Sequence, residues 1–146
     1  MPPRKRIDPG KRRVVPSQKP AHVPIPKQPV SEGVLFSFKL LDLTHRKFKI
    51  SEEDAGWFEQ LFQRLKDVSS QTADEIRANK TQSLRAHSIE WSDTSEPDGF
   101  SQLPQQLRDY QGYQFQLSKN RGRVHGLFID DKFYIVWLDP RHNLYD

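Results

Sequence analysis

From Tyr113 to Leu138 the chain reads as strand segments, apolar and polar residues alternating strictly in the first of them, and this limits the chain to a fold built on adjacent strands. Tyr113-Gln-Phe-Gln-Leu117 is the first such segment, with Tyr113, Phe115 and Leu117 on one buried face. Residues 123–129 and 132–138 are the next two, separated from the first by Lys119-Asn-Arg-Gly122 and from each other by Asp130-Asp131. A two-residue loop at Asp130-Asp131 pairs Ile129 with Lys132, Leu127 with Tyr134, His125 with Val136 and Arg123 with Leu138. Val124, Gly126, Phe128, Phe133, Ile135 and Trp137 then share one face, which has no polar side chain and should receive the helices. Arg123, His125, Leu127, Tyr134 and Val136 share the other. A cation, an imidazole and a phenol are thus expected on the side that the core does not need.

The chain before this segment predicts the remaining elements. Residues 34–43 have β-rich apolar composition and read as a first strand, extended by residues 47–50 past a turn. Ser51-Glu-Glu-Asp suits a helix N-terminus, and Trp57, Phe58, Leu61, Phe62, Leu65 and Val68 recur at helical spacing over residues 51–67. The aromatic stripe Trp57/Phe58/Phe62 is read as core packing. Thr72-Ala-Asp-Glu75 is a capping box that opens a short second helix ending near Lys80. Residues 83–89 alternate as a strand, and residues 92–109, rich in turn formers, read as a surface loop. The order is β-α-α-β-β-β-β. The expectation is an α+β fold, an antiparallel sheet with a two-helix hairpin packed on one face.

Composition sets the boundary of the domain. Eight of the eleven prolines lie in residues 1–31, and every aromatic residue lies from Phe36 onward. Residues 1–32 are therefore read as a disordered basic tail and residues 33–146 as one domain. The first 31 residues carry a formal charge of +7 and the rest −3, so the sequence pI near 9.4 belongs to the tail. Its clusters Arg4-Lys5-Arg6 and Lys11-Arg12-Arg13 suit loose phosphate attraction or simple solubilisation. The chain has no cysteine, which excludes disulfides, thiolate metal sites and thiol catalysis. No run approaches the roughly 18 apolar residues of a membrane span. A cytoplasmic protein without membrane contact is expected.

The chemistry follows from a local imbalance. Residues 113–129 contain Lys119, Arg121, Arg123 and His125 but no acid, and Asp139-Pro-Arg-His-Asn-Leu-Tyr145 leaves the last strand beside Arg123. Such a set suits metal-free RNA cleavage, because the ribose 2′-hydroxyl is the nucleophile and the protein adds only a base, an acid and cations. His125 or His142 fits the proton transfers, Arg123 and Arg141 the phosphate, and Tyr134 or Tyr145 a stacked base. The rival chemistry takes His125, Asp139 and His142 as metal ligands, although Asp139 before Pro140 reads better as turn punctuation. No glycine-rich phosphate loop is present.

The run Tyr113-Gln-Phe-Gln-Leu, Gly122-Arg-Val-His-Gly and Phe133-Tyr-Ile-Val-Trp-Leu-Asp-Pro-Arg-His-Asn-Leu-Tyr145 resembles the C-terminal half of RelE/ParE-superfamily toxins. With the preceding strand and helix pair the resemblance covers about residues 34–146. It implies a RelE-like fold and a toxin, neutralised by a cognate antitoxin, that cleaves mRNA without a metal, often on the ribosome. Arg123 matches the strand arginine at the scissile phosphate, His142 the late basic position and Tyr145 the terminal tyrosine. Lys80 and Arg85 fall where the family often has basic residues. His125 and Trp-Leu-Asp-Pro have no equivalent, and the acidic body departs from the basic surface of ribosome-dependent members. The expected catalytic set is Arg123, His125, His142 and Tyr145. The expected RNA-binding set is Lys80, Arg85, Lys119, Arg121, Tyr134 and Arg141, with no metal or cofactor. A non-catalytic interaction module of the same fold and a ParE-like gyrase poison are the alternatives.

Overall fold

The computed structural model describes residues 33–79 and 81–145. Residues 1–32, read above as a tail, and Lys80 lie outside the described residues. The helices are α1 (Ala55–Val68), α2 (Ala73–Arg77) and α3 (Gln105–Arg108). The strands are β1 (Leu35–Ser37), β2 (His87–Ser88), β3 (Gly112–Ser118), β4 (Gly122–Ile129) and β5 (Lys132–Asp139). Short 3-10 turns precede and follow β2 at Gln82–Leu84 and Trp91–Asp93. The fold is α+β, and the expected β-α-α-β-β-β-β order holds with α3 added inside the 92–109 segment.

The five strands form one sheet in the order β1-β5-β4-β3-β2. It is mixed rather than antiparallel, because β1 pairs parallel to β5. A parallel pair needs a long crossover, and here everything from α1 to β4 lies between its two members. The first strand is also much shorter than expected. Ser37 Oγ accepts the Lys39 N–H at 3.2 Å and the Phe38 carbonyl accepts the Leu41 N–H at 3.1 Å, so the chain turns away from the sheet. The extension at residues 47–50 is likewise no strand, and the second strand shrinks from seven residues to His87–Ser88.

Helix α1 begins at Ala55, not at Ser51. Its cap is Asp54, whose carboxylate accepts the Trp57 N–H at 2.9 Å. Trp57, Leu61, Leu65 and Val68 bury the inner face, whereas Phe62, expected in the core, is 61% exposed. Thr72 caps α2 as its capping box predicts, accepting the Glu75 N–H at 3.1 Å. Both helices pack on one face of the sheet against Phe115, Leu117, Val124, Phe128, Phe133, Ile135 and Leu138.

The opposite face is the main departure from the expected architecture. It is covered, not open: Phe48, Ile89, Phe100, Leu103, Leu127, Val136, Trp137 and Leu144 form a second core there. A bulge in β5 causes part of the difference. Gly126 pairs with Ile135 and His125 with Trp137, which leaves Val136 as the extra residue. The shift moves Trp137 off the helix face, where Leu138 takes its place, and aligns Arg123 with Asp139. Asp42 satisfies the bulge by donating its N–H to the Val136 carbonyl at 2.9 Å. The 92–109 segment is thus no mere surface loop, since it delivers Phe100 and Leu103 to this core.

Candidate functional site

Polar side chains cross the sheet on the second face in two adjacent rows. The register aligns His87, Gln114, His125 and Trp137 across β2, β3, β4 and β5. Gln116, Arg123 and Asp139 are aligned in the next row. Over the end of these rows a pocket of about 340 Å³ is lined by Arg85, His87, Gln114, Arg123, His142 and Tyr145. Among the described residues no acidic side chain lines it.

Each lining group is held by local structure. Arg123 is 9% exposed, and its Nη1 donates to the Gly122 carbonyl at 2.9 Å and the Ser118 carbonyl at 3.4 Å. No carboxylate lies within ion-pair distance of it among the described residues. Burial lowers the pKa of its guanidinium, the charge of Arg85 lowers it further, and Asp139 opposes both. Gln114 donates its amide to His87 Nε2 at 2.9 Å. The other ring nitrogen of His87, Nδ1, meets the Ser88 carbonyl at 2.8 Å, which can only accept, so Nδ1 carries a proton there. The Tyr145 ring stands 5.9 Å from that of His87, and burial raises the pKa of its phenol, keeping it protonated at neutral pH.

Two lining residues have left-handed backbones, Arg85 at φ 46° and His142 at φ 57°. The other two non-glycine residues of this kind among the described ones are Asn79 and Asp130, which adopt it readily. For Arg85 the conformation costs on the order of 1 kcal/mol. It turns the chain out of the 3-10 turn and brings the arginine to the pocket.

Four of the expected residues therefore converge: Arg85, Arg123, His142 and Tyr145. The others do not. His125, expected to project outward, is fully buried beneath the pocket among Phe48 and Trp137. Its pKa falls to about 3, through burial first and then the charges of His142, Arg123 and His87. Neither ring nitrogen has a hydrogen-bond partner, and the 3.6 Å approach of Nε2 to Asp139 Oδ2 is no ion pair, because the ring is neutral. His125 is thus inaccessible to a substrate. Tyr134 is half-buried against the second core. Arg141 is exposed and paired with Glu52 at 3.1 Å. Lys119 and Arg121 are exposed in the β3–β4 turn without lining the pocket, and the Arg121 carbonyl accepts the Trp57 indole N–H at 2.8 Å.

The sequence reading does not single out His87 and Gln114. The signal was present in the alternation of residues 83–89, which puts His87 on the side of Arg85, and in Gln114 lying opposite the apolar face of Tyr113 and Phe115.

Asp139 is turn punctuation, as its place before Pro140 suggests. Its carboxylate accepts the N–H groups of Asn143 and Leu144 at 2.8 and 3.0 Å. Among the described residues no three His, Cys, Asp or Glu side chains are grouped to hold a metal ion. Nor is any described helix long and apolar enough to cross a membrane. Comparison of the chain with family models, with curated proteins and with solved structures finds no match.

Proposed function

We propose that the chain is a metal-independent endoribonuclease of the toxin class, acting on mRNA and held in check by a cognate antitoxin. The observation that carries the reading is the convergence of two guanidiniums, two imidazoles and a phenol on one pocket, with no acidic lining residue among the described ones. Arg85 and Arg123 hold the phosphate and stabilise the charge that develops on it. His142 and His87 are the imidazoles within reach of a substrate, one to accept the 2′-hydroxyl proton and one to protonate the leaving 5′-oxygen. In this scheme His87 gives up its hydrogen bond from Gln114 when substrate enters. Tyr145 supports an unpaired base. The resemblance to RelE-type toxins adds to this reading through Arg123, His142 and Tyr145.

The interaction-module alternative draws on Leu43 and Phe62, which are 57% and 61% exposed. Inducible expression with transcript-end mapping separates the readings. Growth arrest with new internal 5′ ends, both lost in Arg123→Ala, is the expected result. Normal growth at confirmed expression would favour the interaction module. Arrest with intact transcripts and trapped gyrase–DNA complexes would favour a gyrase poison.

A further inference from the structure

We propose that Asp139 is the positioning residue of the pocket, folding the turn after β5 so that His142 and Tyr145 face Arg123. The inference goes beyond the nuclease reading, since it applies to any anion the pocket takes. Asp139 is 0% exposed, and both carboxylate oxygens are engaged by the turn. Oδ1 accepts the Asn143 N–H at 2.8 Å and Oδ2 the Leu144 N–H at 3.0 Å. The Asp139 carbonyl accepts the His142 N–H at 3.4 Å, so one residue gathers three successive amides. This closure turns the chain sharply enough to need the left-handed backbone at His142.

The far end of the turn is anchored independently. Leu144 is 0% exposed in the second core, and its carbonyl accepts the Ser95 N–H at 2.7 Å. Ser95 Oγ donates to the Asn143 carbonyl at 2.7 Å, and the Asn143 amide donates to the Lys47 carbonyl at 3.3 Å. The Asp139 closure and this anchor thus hold the turn at both ends. Asp139 also has an electrostatic consequence. It lies directly across from Arg123 in the register, and its charge favours the charged guanidinium. The same negative charge beneath a basic pocket opposes an incoming anion.

The two roles are separable by substitution in the full chain. Asp139→Asn removes the charge and turns an amide N–H towards one of the two backbone donors, which disturbs the turn. Asn143→Pro deletes the N–H that Oδ1 accepts and leaves the charge in place, and Asn143→Ala, which removes only the side-chain anchor to the Lys47 carbonyl, is its control. Inorganic phosphate binding by calorimetry, the His142 ring resonances and RNA cleavage are read together.

Asp139→Asn should bind phosphate at least as tightly as the wild type, show displaced His142 resonances and cleave RNA about a hundredfold more slowly. Asn143→Pro should displace the same resonances and slow cleavage without tightening phosphate. A purely structural Asp139 would instead lower phosphate binding and cleavage together, in step with the folded fraction. That outcome, or unmoved His142 resonances in both variants, overturns the assignment. Failure of the wild type to cleave RNA would end the nuclease reading alone, because phosphate affinity and the His142 resonances still decide the role of Asp139.

Discussion

His125 shows how one buried side chain ties the stability of this protein to pH. Its pKa is lowered from 6.5 to about 3 in the folded chain, so between these values the unfolded chain takes up a proton that the folded chain does not. The contribution is fully present above pH 6.5 and is lost as pH falls towards 3, at up to about 1.4 kcal/mol per pH unit. In urea titrations His125→Leu should flatten this acid dependence and leave stability at neutral pH unchanged or higher, since neither ring nitrogen has a partner to lose. An equally steep acid loss in the variant would place the titrating group elsewhere. Arg123 and Trp137 make a second contrast at this scale. Arg123→Ala should cost about 1–2 kcal/mol, for the lost carbonyl contacts and packing of its stem, and remove activity. Trp137→Ala should cost about 3–5 kcal/mol, because the ring is 1% exposed and stacks on Phe48 at 4.6 Å. Equal thermal destabilisation by the two substitutions would make Arg123 a structural residue.

Among the elements, the β4–β5 hairpin decides the geometry of the site. Its bulge places His125 opposite Trp137 and Arg123 opposite Asp139, and Gly126 sits beside it. A Cβ at Gly126 would collide with the Tyr134 carbonyl and the Phe133 ring. Gly126→Ala should therefore destabilise the domain by about 2–4 kcal/mol, read as a lower denaturant midpoint. A near-neutral effect would mean that the strands can part there. Helix α1 offers a milder test. Asp54→Ala removes the cap on the Trp57 N–H and should cost about 1 kcal/mol, whereas Ser51→Ala, at the cap the sequence suggested, should cost little.

Across the whole molecule the charge is divided between two regions of opposite sign. Residues 1–31 hold eight Lys or Arg against Asp8, and the remainder has a formal charge of −3. If RNA is the ligand, removing residues 2–31 should reduce the slope of log affinity against log salt, by as much as eight phosphate contacts allow. An unchanged slope would place the phosphate contacts outside residues 2–31. The described domain itself has two cores, one on each face of a single sheet. That explains how a chain whose strands predicted an open face can bury both sides. The covering comes from residues 38–50, most of which the sequence reads as strand, and from residues 89–103 and 140–145, which have no clear strand or helix period to reveal where they pack.

The positions of β3, β4 and β5, the buried helix residues Trp57, Leu61, Leu65 and Val68, and the capping box at Thr72 were legible because each depends on neighbours a few residues apart. The inward set Val124, Phe128, Phe133 and Ile135 follows from alternation alone. The convergence of Arg123, His142 and Tyr145 was legible too, since the turn after β5 starts beside β4. The fate of His125 was not. Alternation fixes the side of the sheet on which a residue stands and is silent about what later covers that side. Here Phe48 and the Trp137 that the bulge shifts to this face close over the ring. The bulge itself left no mark in an unbroken apolar run, where Ile135, Val136, Trp137 and Leu138 can serve either face. Only the tertiary structure could choose between the two registers, by packing Trp137 against Phe48 and Phe100 and giving the Val136 carbonyl to Asp42.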